Sequence, residues 1–351
     1  YDPQLHTFKK IQTLDDQYVA GVSWNPNGIM LASCSYNNGI IVYTYDPQLH
    51  TFKKIQALSS HYYFIKNISW NPNGTMLAFC SYLPIVVVYT YDLQSHTLKE
   101  IQTIYDHDGR VNDISWSPDG TMLASCSVDE TVIVYTYDPQ LQKFTRFKTF
   151  RYKSEDYCDK ISWSPNGTML AFRSRNSIPV FKYNSQSGTF TKIKTFYNHT
   201  DISWNHDGTM LALLASYYRS NDAIIIYKHD PQLDIFTEIK SFYNYTCIPS
   251  WSPNETMFAA YYGDCSWERT AIIYKHDPQS GTFKKIKTFY SKRESCYFMD
   301  ISWCPDGTTV AALFRDNSIR INKPKGISLL EYLSKSIKKA VNIKKTGCLV
   351  L

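Results

Sequence analysis

The sequence predicts an all-β chain whose seven four-stranded repeats stand radially as the blades of a propeller, and three observations carry that prediction. Tryptophans recur at Trp24, Trp70, Trp116, Trp163, Trp204, Trp251 and Trp303, each closing an ISW-like triplet, at steps of 41 to 52 residues. That period is the length of one four-stranded blade. Within each period the residues alternate and turn as strands do. The chain also opens on a strand of the outer kind and ends on a unit that lacks one, so its two ends are complementary.

Residues 1 to 14, YDPQLHTFKKIQTL, are that opening outer strand, and residues 1 to 12 recur unchanged as residues 45 to 56. Such duplication makes outer-strand positions poor candidates for a unique site. The template for the rest is residues 111 to 150. VNDISW alternates apolar and polar residues, SPDG supplies a Pro and Gly turn, MLASCS is a short second strand and VDE a second turn. TVIVYTY is a β-branched and aromatic third strand, and YDPQ turns the chain into KFTRFKTF, whose alternation suits a half-exposed outer position. One such sheet cannot bury both faces alone; seven stacked radially bury each other's faces in one continuous core. The last unit, Met299 to Asn322, supplies three inner strands. Pairing it with residues 1 to 14 would close the ring and remove exposed sheet edges.

On these residues the chain resembles the WD-repeat β-propellers. LASCSVDETVIVYT (123 to 136) is similar to the second and third strands of that repeat and WSPDGTMLA (116 to 124) to its start, and the likeness recurs over about nine-tenths of the chain. The family's Trp-Asp ending is replaced by Tyr43-Thr44, Tyr89-Thr90, Tyr135-Thr136, Phe181-Lys182, Tyr227-Lys228, Tyr274-Lys275 and Ile321-Asn322. The resemblance implies a buried polar network, matched best in the third unit at His107, Ser125 and Asp129, with Tyr135 where the family places Trp. Elsewhere that network is eroded: His61 is kept in the second unit without a matching Asp. Stability must then rest mainly on stacked aromatic and aliphatic side chains.

Composition agrees with one domain over residues 1 to 322 followed by a tail at 323 to 351. Hydrophobic residues form 43% of the chain and aromatics 15%, ample for a core of this kind. No charged-then-apolar leader and no run of 18 apolar residues occurs, which predicts a soluble protein. A chain beginning at Tyr1 reads as a fragment or a processed form. The nine cysteines are odd in number and lack paired spacing, and Cys34, Cys80 and Cys126 occupy the same place in three successive second strands. They read as small buried residues in a reducing compartment. His6, His50 and His96 recur in one hairpin, and His229 and His276 before DPQ, so repetition explains them better than ligation does. Neither a metal nor a cofactor is expected. The sequons at Asn73 and Asn166 are by-products of the repeated turn.

Loops that differ within a repeat are where specific binding can reside. The outer-to-inner connections include SSHYYF (59 to 64), RYKSEDYC (151 to 158) and SKRESCYF (291 to 298), and the links between second and third strands lengthen to SYYRSND (216 to 222) and YYGDCSWER (261 to 269). By the resemblance both sets lie on one face of the ring. They are rich in Tyr, Arg and Trp, the residue types enriched at binding hot spots. The candidates for a face that takes proteins or peptides are Tyr62, Tyr63, Arg151, Tyr152, Tyr217, Tyr218, Arg219, Trp267, Arg269, Arg293 and Tyr297. Ordinary solvated loops, with their aromatics folded back on the ring, are the bland alternative.

The tail, KPKGISLLEYLSKSIKKAVNIKKTGCLVL, abandons the repeat. Pro324 and Gly326 break the last strand, Ser328 can cap a short amphipathic helix running to Val341, and Leu329, Leu330, Leu333, Ile337 and Val341 share one side of it. A helix packed under the propeller would look the same. Seven lysines against one glutamate give this tail a net +6, equal to the net charge of the whole chain, so the propeller is formally neutral. A neutral ring has no electrostatic claim on nucleic acid, whereas a basic segment is attracted to an anionic membrane surface. Cys348-Leu349-Val350-Leu351 fits a C-a-a-X signal with the Leu that selects geranylgeranyl. KKTGCLVL (344 to 351) is similar to the ends of Rho-family small GTPases, and the resemblance implies a thioether at Cys348, removal of the last three residues and methylation of the new carboxylate. One lipid chain holds a protein only marginally, and Lys335, Lys338, Lys339, Lys344 and Lys345 would add the second signal.

Two further classes compete. YNSQSGTFTKIKTF (183 to 196) and HDPQSGTFKKIKTF (276 to 289) are also similar to the outer strands of lactonase-type propellers, which hydrolyse sugar lactones. Yet no GxSxG, GxxxxGK or HExxH occurs, and Asp119, Asp207 and Asp306 stand in the repeated turn, where carboxylates act as turn formers. SLLEYLSKSIKKAV has a faint likeness to the C-terminal helical box of ubiquitin-ligase substrate adaptors but lacks their Cys and Arg. The sequence therefore points to a non-catalytic, monomeric protein-interaction scaffold held at the cytosolic face of a membrane by Cys348 and its lysines.

Overall fold

A computed structural model of the chain describes residues 19–27, 29–35, 39–46, 49, 51–58, 64–92, 94–152, 157–175, 177–215, 222–243, 245–252, 257–263, 269–277, 281–290, 298–303, 310–314 and 319–322. The outer strand expected at residues 1 to 14, and the helix and basic segment expected after residue 322, lie outside them. Every described regular element is a strand.

The first sheet comprises β1 (Val19–Trp24), β2 (Met30–Ser35), β3 (Gly39–Asp46) and β4 (Thr51–Leu58), and the second β5 (Ile65–Trp70), β6 (Met76–Ser81), β7 (Val86–Asp92) and β8 (Thr97–Ile104). The third holds β9 (Val111–Trp116), β10 (Met122–Ser127), β11 (Thr131–Asp138) and β12 (Lys143–Arg151), and the fourth β13 (Cys158–Trp163), β14 (Met169–Ser174), β15 (Ser177–Asn184) and β16 (Thr189–Tyr197). Next come β17 (His199–Trp204), β18 (Met210–Ala215), β19 (Ala223–Asp230) and β20 (Ile235–Tyr243), then β21 (Tyr245–Trp251), β22 (Met257–Gly263), β23 (Arg269–Asp277) and β24 (Thr282–Tyr290). The last described sheet is β25 (Phe298–Trp303), β26 (Val310–Phe314) and β27 (Ile319–Asn322), three strands as its residues imply. All are antiparallel meanders in chain order. Each first strand lies on the first strand of the sheet before it, from β5 on β1 through to β25 on β21, which is a propeller-like arrangement.

The recurring turn has a specific chemistry. The residue after Trp receives the backbone N–H of the Met that starts the second strand: Asn71 from Met76 at 2.8 Å, Ser117 from Met122 at 2.8 Å, Ser164 from Met169 at 2.9 Å and Asn205 from Met210 at 2.7 Å. The third turn residue accepts from the Thr two places on, as Asp119 does from Thr121 N at 3.0 Å and Asp207 from Thr209 N at 2.7 Å. These are side-chain-closed turns of the kind Asn, Asp and Ser favour. The glycine that follows is required twice over: Gly208 has φ +71°, and a Cβ there would stand 2.6 Å from the Asn166 side chain of the preceding turn.

The core lies between sheets. Met76, Ala78, Val86 and Val88 of the second meet Ile114, Trp116, Leu123 and Tyr135 of the third, all buried, and the same layering recurs at later seams. Each large side chain so buried contributes about 1.5–3 kcal/mol. Serines of the ISW triplets tie the inner strands: Ser23 Oγ accepts from Trp70 N at 3.2 Å, and Ser115 Oγ from Trp163 N at 3.2 Å.

Outer strands are free edges, and the chain protects them. The register slips at the same place in each third-to-fourth pairing, between Val42/Tyr43, Val88/Tyr89, Val134/Tyr135, Val180/Phe181, Ile226/Tyr227 and Ile273/Tyr274. A bulge there and exposed lysines such as Lys53, Lys99, Lys148 and Lys192 discourage edge-to-edge pairing. Neighbouring outer strands are also stapled by glutamines. Gln56 bonds the backbone of Leu98 through both ends of its amide (2.6 and 3.0 Å), and Gln102 does the same to Phe144 (2.7 and 3.1 Å).

Candidate functional site

The third sheet brings the expected polar network together. His107 precedes β9 and Ser125 lies in β10; Nε2 of the imidazole is 2.7 Å from Ser125 Oγ and Nδ1 is 2.9 Å from Asp129 Oδ2. Asp129 also accepts from Asp108 N at 2.9 Å, from Thr131 N at 2.9 Å and from Thr131 Oγ1 at 2.6 Å. Burial alone would raise the Asp129 pKa, but the bonds from His107 and Thr131 overcome it and hold the carboxyl well below the usual carboxylate range. Tyr135 is fully buried, its phenol pushed up by that burial, with Ser125 the polar group beside it. The order His–Ser with a carboxylate behind the imidazole is that of a hydrolytic triad. Access differs: Ser125 is 0% and His107 5% exposed, so neither is open to a substrate.

A second polar network, which sequence reasoning missed, runs along the inner strands. Asp113 of β9 accepts from Asn67 Nδ2 of β5 and, at 3.0 Å, from Ile161 N of β13, so one carboxylate joins three sheets. Lys66 Nζ donates to Asn112 Oδ1 at 2.7 Å, Asn112 Nδ2 to Cys158 O at 2.7 Å, and Lys160 pairs with Asp201 at 3.7 Å. Burial pushes Asp113 above the ordinary carboxylate range against the charge of Lys160, and does the same to Asp159 and Asp201. The signal was present in the sequence: the residue before Ile in the triplet is Asn67, Asp113, Lys160 and Asp201 in successive repeats, an inner-strand position that an ordinary core would fill with an apolar side chain.

Of the proposed loop face, Arg151 and Tyr152 are described, together with the backbone of Arg269 in β23; Tyr62, Tyr63, Tyr217, Tyr218, Arg219, Trp267, Arg293 and Tyr297 lie outside the described residues, as do Cys348, Lys335, Lys338, Lys339, Lys344 and Lys345. Arg151 is exposed at the end of β12. Tyr152 is half-buried: its ring lies 5.2 Å from Phe172 and its hydroxyl is buried beside the Cys158 thiol. Here the fourth sheet replaces the polar network with rings. Phe172 stands where the third sheet has Ser125 and Phe181 where it has Tyr135, and the two stack at 5.6 Å. Next to them a groove of about 420 Å³ opens, with Arg151, Tyr152, Phe172, Pro179 and Lys192 in its walls.

Residues 8–44 and 98–136 match the family model of the WD domain, G-beta repeat. The second stretch contains the whole His107–Ser125–Asp129 network and ends at Tyr135-Thr136. The chain is similar in fold to a chain of the mitotic checkpoint complex, with TM-score 0.64 and 16% identity over 89% of this chain and 92% of that one. It is also similar to a putative 6-phosphogluconolactonase from Bacteroides fragilis, with TM-score 0.63 and 14% identity over 86% and 92%, and to a periplasmic gluconolactonase from Pseudomonas aeruginosa, with TM-score 0.59 and 16% identity over 76% and 84%. At such identities the likeness establishes the fold. No curated protein sequence matches the chain.

Proposed function

We propose that this protein is a non-catalytic interaction scaffold: a seven-bladed ring, closed by residues 1 to 14 pairing with β27, that offers its variable loops to other proteins. The observation that carries this reading is the burial of the His107–Ser125–Asp129 network, whose members are committed to one another inside a stretch matching the WD repeat. A hydroxyl with no exposed surface serves packing and register rather than attack on a substrate. The repeated carboxylates Asp119 and Asp207 are likewise engaged as turn acceptors.

The tail completes the proposal. Where Cys348-Leu349-Val350-Leu351 ends the protein, geranylgeranylation at Cys348 together with Lys335, Lys338, Lys339, Lys344 and Lys345 holds the ring, as a monomer, at the cytosolic face of an anionic membrane. Among the described residues no helix is long and apolar enough to span a bilayer, so in this reading attachment falls to the lipid and the lysines. Fold likeness to the two lactonases supports one competing reading, hydrolysis of a sugar lactone.

The test is intact mass with cell fractionation after expression in a eukaryotic cell, beside Cys348→Ser and an assay of gluconolactone hydrolysis. A gain matching geranylgeranyl with loss of residues 349 to 351, release of Cys348→Ser to the soluble fraction, and lactone turnover equal to buffer are expected. An unmodified soluble product removes the anchor, and turnover above buffer that survives purification removes the scaffold.

A further inference from the structure

Three residues peculiar to the third and fourth sheets, Phe147, Pro179 and Arg173, depart from the repeat near the seam between them. Lys148 stands on β12 where Gln102 stands on β8, and lysine keeps that place in the later outer strands at Lys194, Lys240 and Lys287, so the glutamine staple is a feature of the earlier seams. Phe147 takes the bulge position that Ile101 fills in the second sheet and reaches across to Tyr183 and Phe190 at 6.5 and 6.4 Å. In the fourth sheet Pro179 occupies the place of Ile133 and Ile225, inside a central strand where proline removes a ladder donor. The pairing of β14 with β15 is interrupted there: Ala171↔Val180 is followed only by Ser174↔Ser177, whereas β18 and β19 pair without a break from Met210↔Lys228 to Ala215↔Ala223. Arg173 replaces the small buried Cys126 of the preceding sheet and turns inward to Asp159 at 3.3 Å. Of these, Pro179 lines the groove of about 420 Å³, a size in the range of sites that enclose a small ligand or a few peptide side chains.

We propose that this groove binds an extended acidic peptide that packs one aromatic or large aliphatic side chain against the rings of its floor. This rests on the scaffold reading and names the partner chemistry for one sector of the loop face. The floor is apolar, with Phe150, Phe172 and Phe181 in mutual ring contact at 4.5 to 5.9 Å. The rim is cationic: Arg151 and Lys192 are both exposed, and among the described residues neither forms an ion pair and no carboxylate lines the groove. Tyr197, 70% exposed, adds a rigid amphipathic contact. Rings below and cations at the rim complement an apolar side chain flanked by carboxylates.

The probe is a fluorescein-labelled heptapeptide, one phenylalanine flanked by three aspartates on each side, read by fluorescence anisotropy against the full chain. Its counterparts carry lysine in place of aspartate, or alanine in place of phenylalanine. The aspartate–phenylalanine peptide is expected to bind best and to weaken as salt rises. Arg151→Glu with Lys192→Glu, both surface changes, is expected to lower its affinity on the order of tenfold, with unfolding by circular dichroism unchanged. Arg151→Ala and Lys192→Ala give the same answer at smaller amplitude should the double variant unfold early. Equal binding of the acidic and basic peptides, or affinity indifferent to the charge reversal, overturns the assignment. If the peptide fails while partners still cross-link to the loops, the groove assignment falls and the scaffold stands; if nothing cross-links, the scaffold falls whatever the peptide does.

Discussion

Gln102 holds Phe144 by both ends of one amide, its oxygen accepting from the Phe144 N–H at 2.7 Å and its nitrogen donating to the Phe144 carbonyl at 3.1 Å. A side chain thereby extends the hydrogen bonding of one outer strand into the next, at the outer end of a seam whose inner strands are joined by Asn67 and Asp113. Gln102→Ala should cost about 1–2 kcal/mol, two net hydrogen bonds, seen as a lower urea midpoint at unchanged slope. Gln102→Lys, the residue present at position 148, should cost about as much, and an unchanged midpoint for both would show that the staple is incidental.

Asp129 sets a sign for acid stability. Its folded pKa is depressed by His107 and Thr131, so its contribution is full above the ordinary carboxylate value and is lost as pH falls through the depressed one. Asp129→Ala should destabilise by about 2–4 kcal/mol at pH 7, and that gap should narrow as the two proteins are compared at progressively lower pH. A gap that widens in acid would contradict the hydrogen-bonded carboxylate.

Asp113 carries the opposite sign. Burial raises its folded pKa, so its contribution is full in acid and declines as pH rises through the raised value. Removing the side chain orphans Asn67 Nδ2 and Ile161 N, and Asp113→Ala should cost about 2–4 kcal/mol. That penalty should be greater at pH 4 than at pH 7, the reverse of the trend at Asp129. Parallel pH dependence at the two positions would refute the assignment of one as assisted and the other as desolvated.

Gly208→Ala tests the stacked turns. Its φ of +71° disfavours any Cβ, and the added carbon would stand 2.6 Å from the Asn166 side chain. A loss of about 1–3 kcal/mol is expected, partly recovered when Asn166 is shortened to Ala. Full additivity of the two changes would mean that the turns do not touch in solution.

Much of this was legible in the residues. Trp periodicity fixed the sheets, the NPNG and SPDG segments fixed the turns, and the His107, Ser125 and Asp129 spacing anticipated a network that the structure brings within 2.7 to 2.9 Å. Strand alternation reports which side chains face a neighbour but not what that neighbour offers. Asp113 therefore read as a polar residue of an alternating strand, although it bonds partners 46 residues earlier and 48 later. Tyr152 read as a loop aromatic for the same reason; only the third dimension supplies Phe172 for it to fold against. Pro179 was visible as a proline within a strand, yet its consequence, an opened ladder beside an aromatic floor, needed the register of both strands.

The central claim is that partners meet the variable loops. Cross-linking mass spectrometry on the full chain captured from a eukaryotic cell tests it most directly. Cross-links to a partner should concentrate in residues 59 to 64, 151 to 158, 216 to 222, 261 to 269 and 291 to 298. Cross-links confined to the DPQ turns and outer strands, or none at all, would contradict the account.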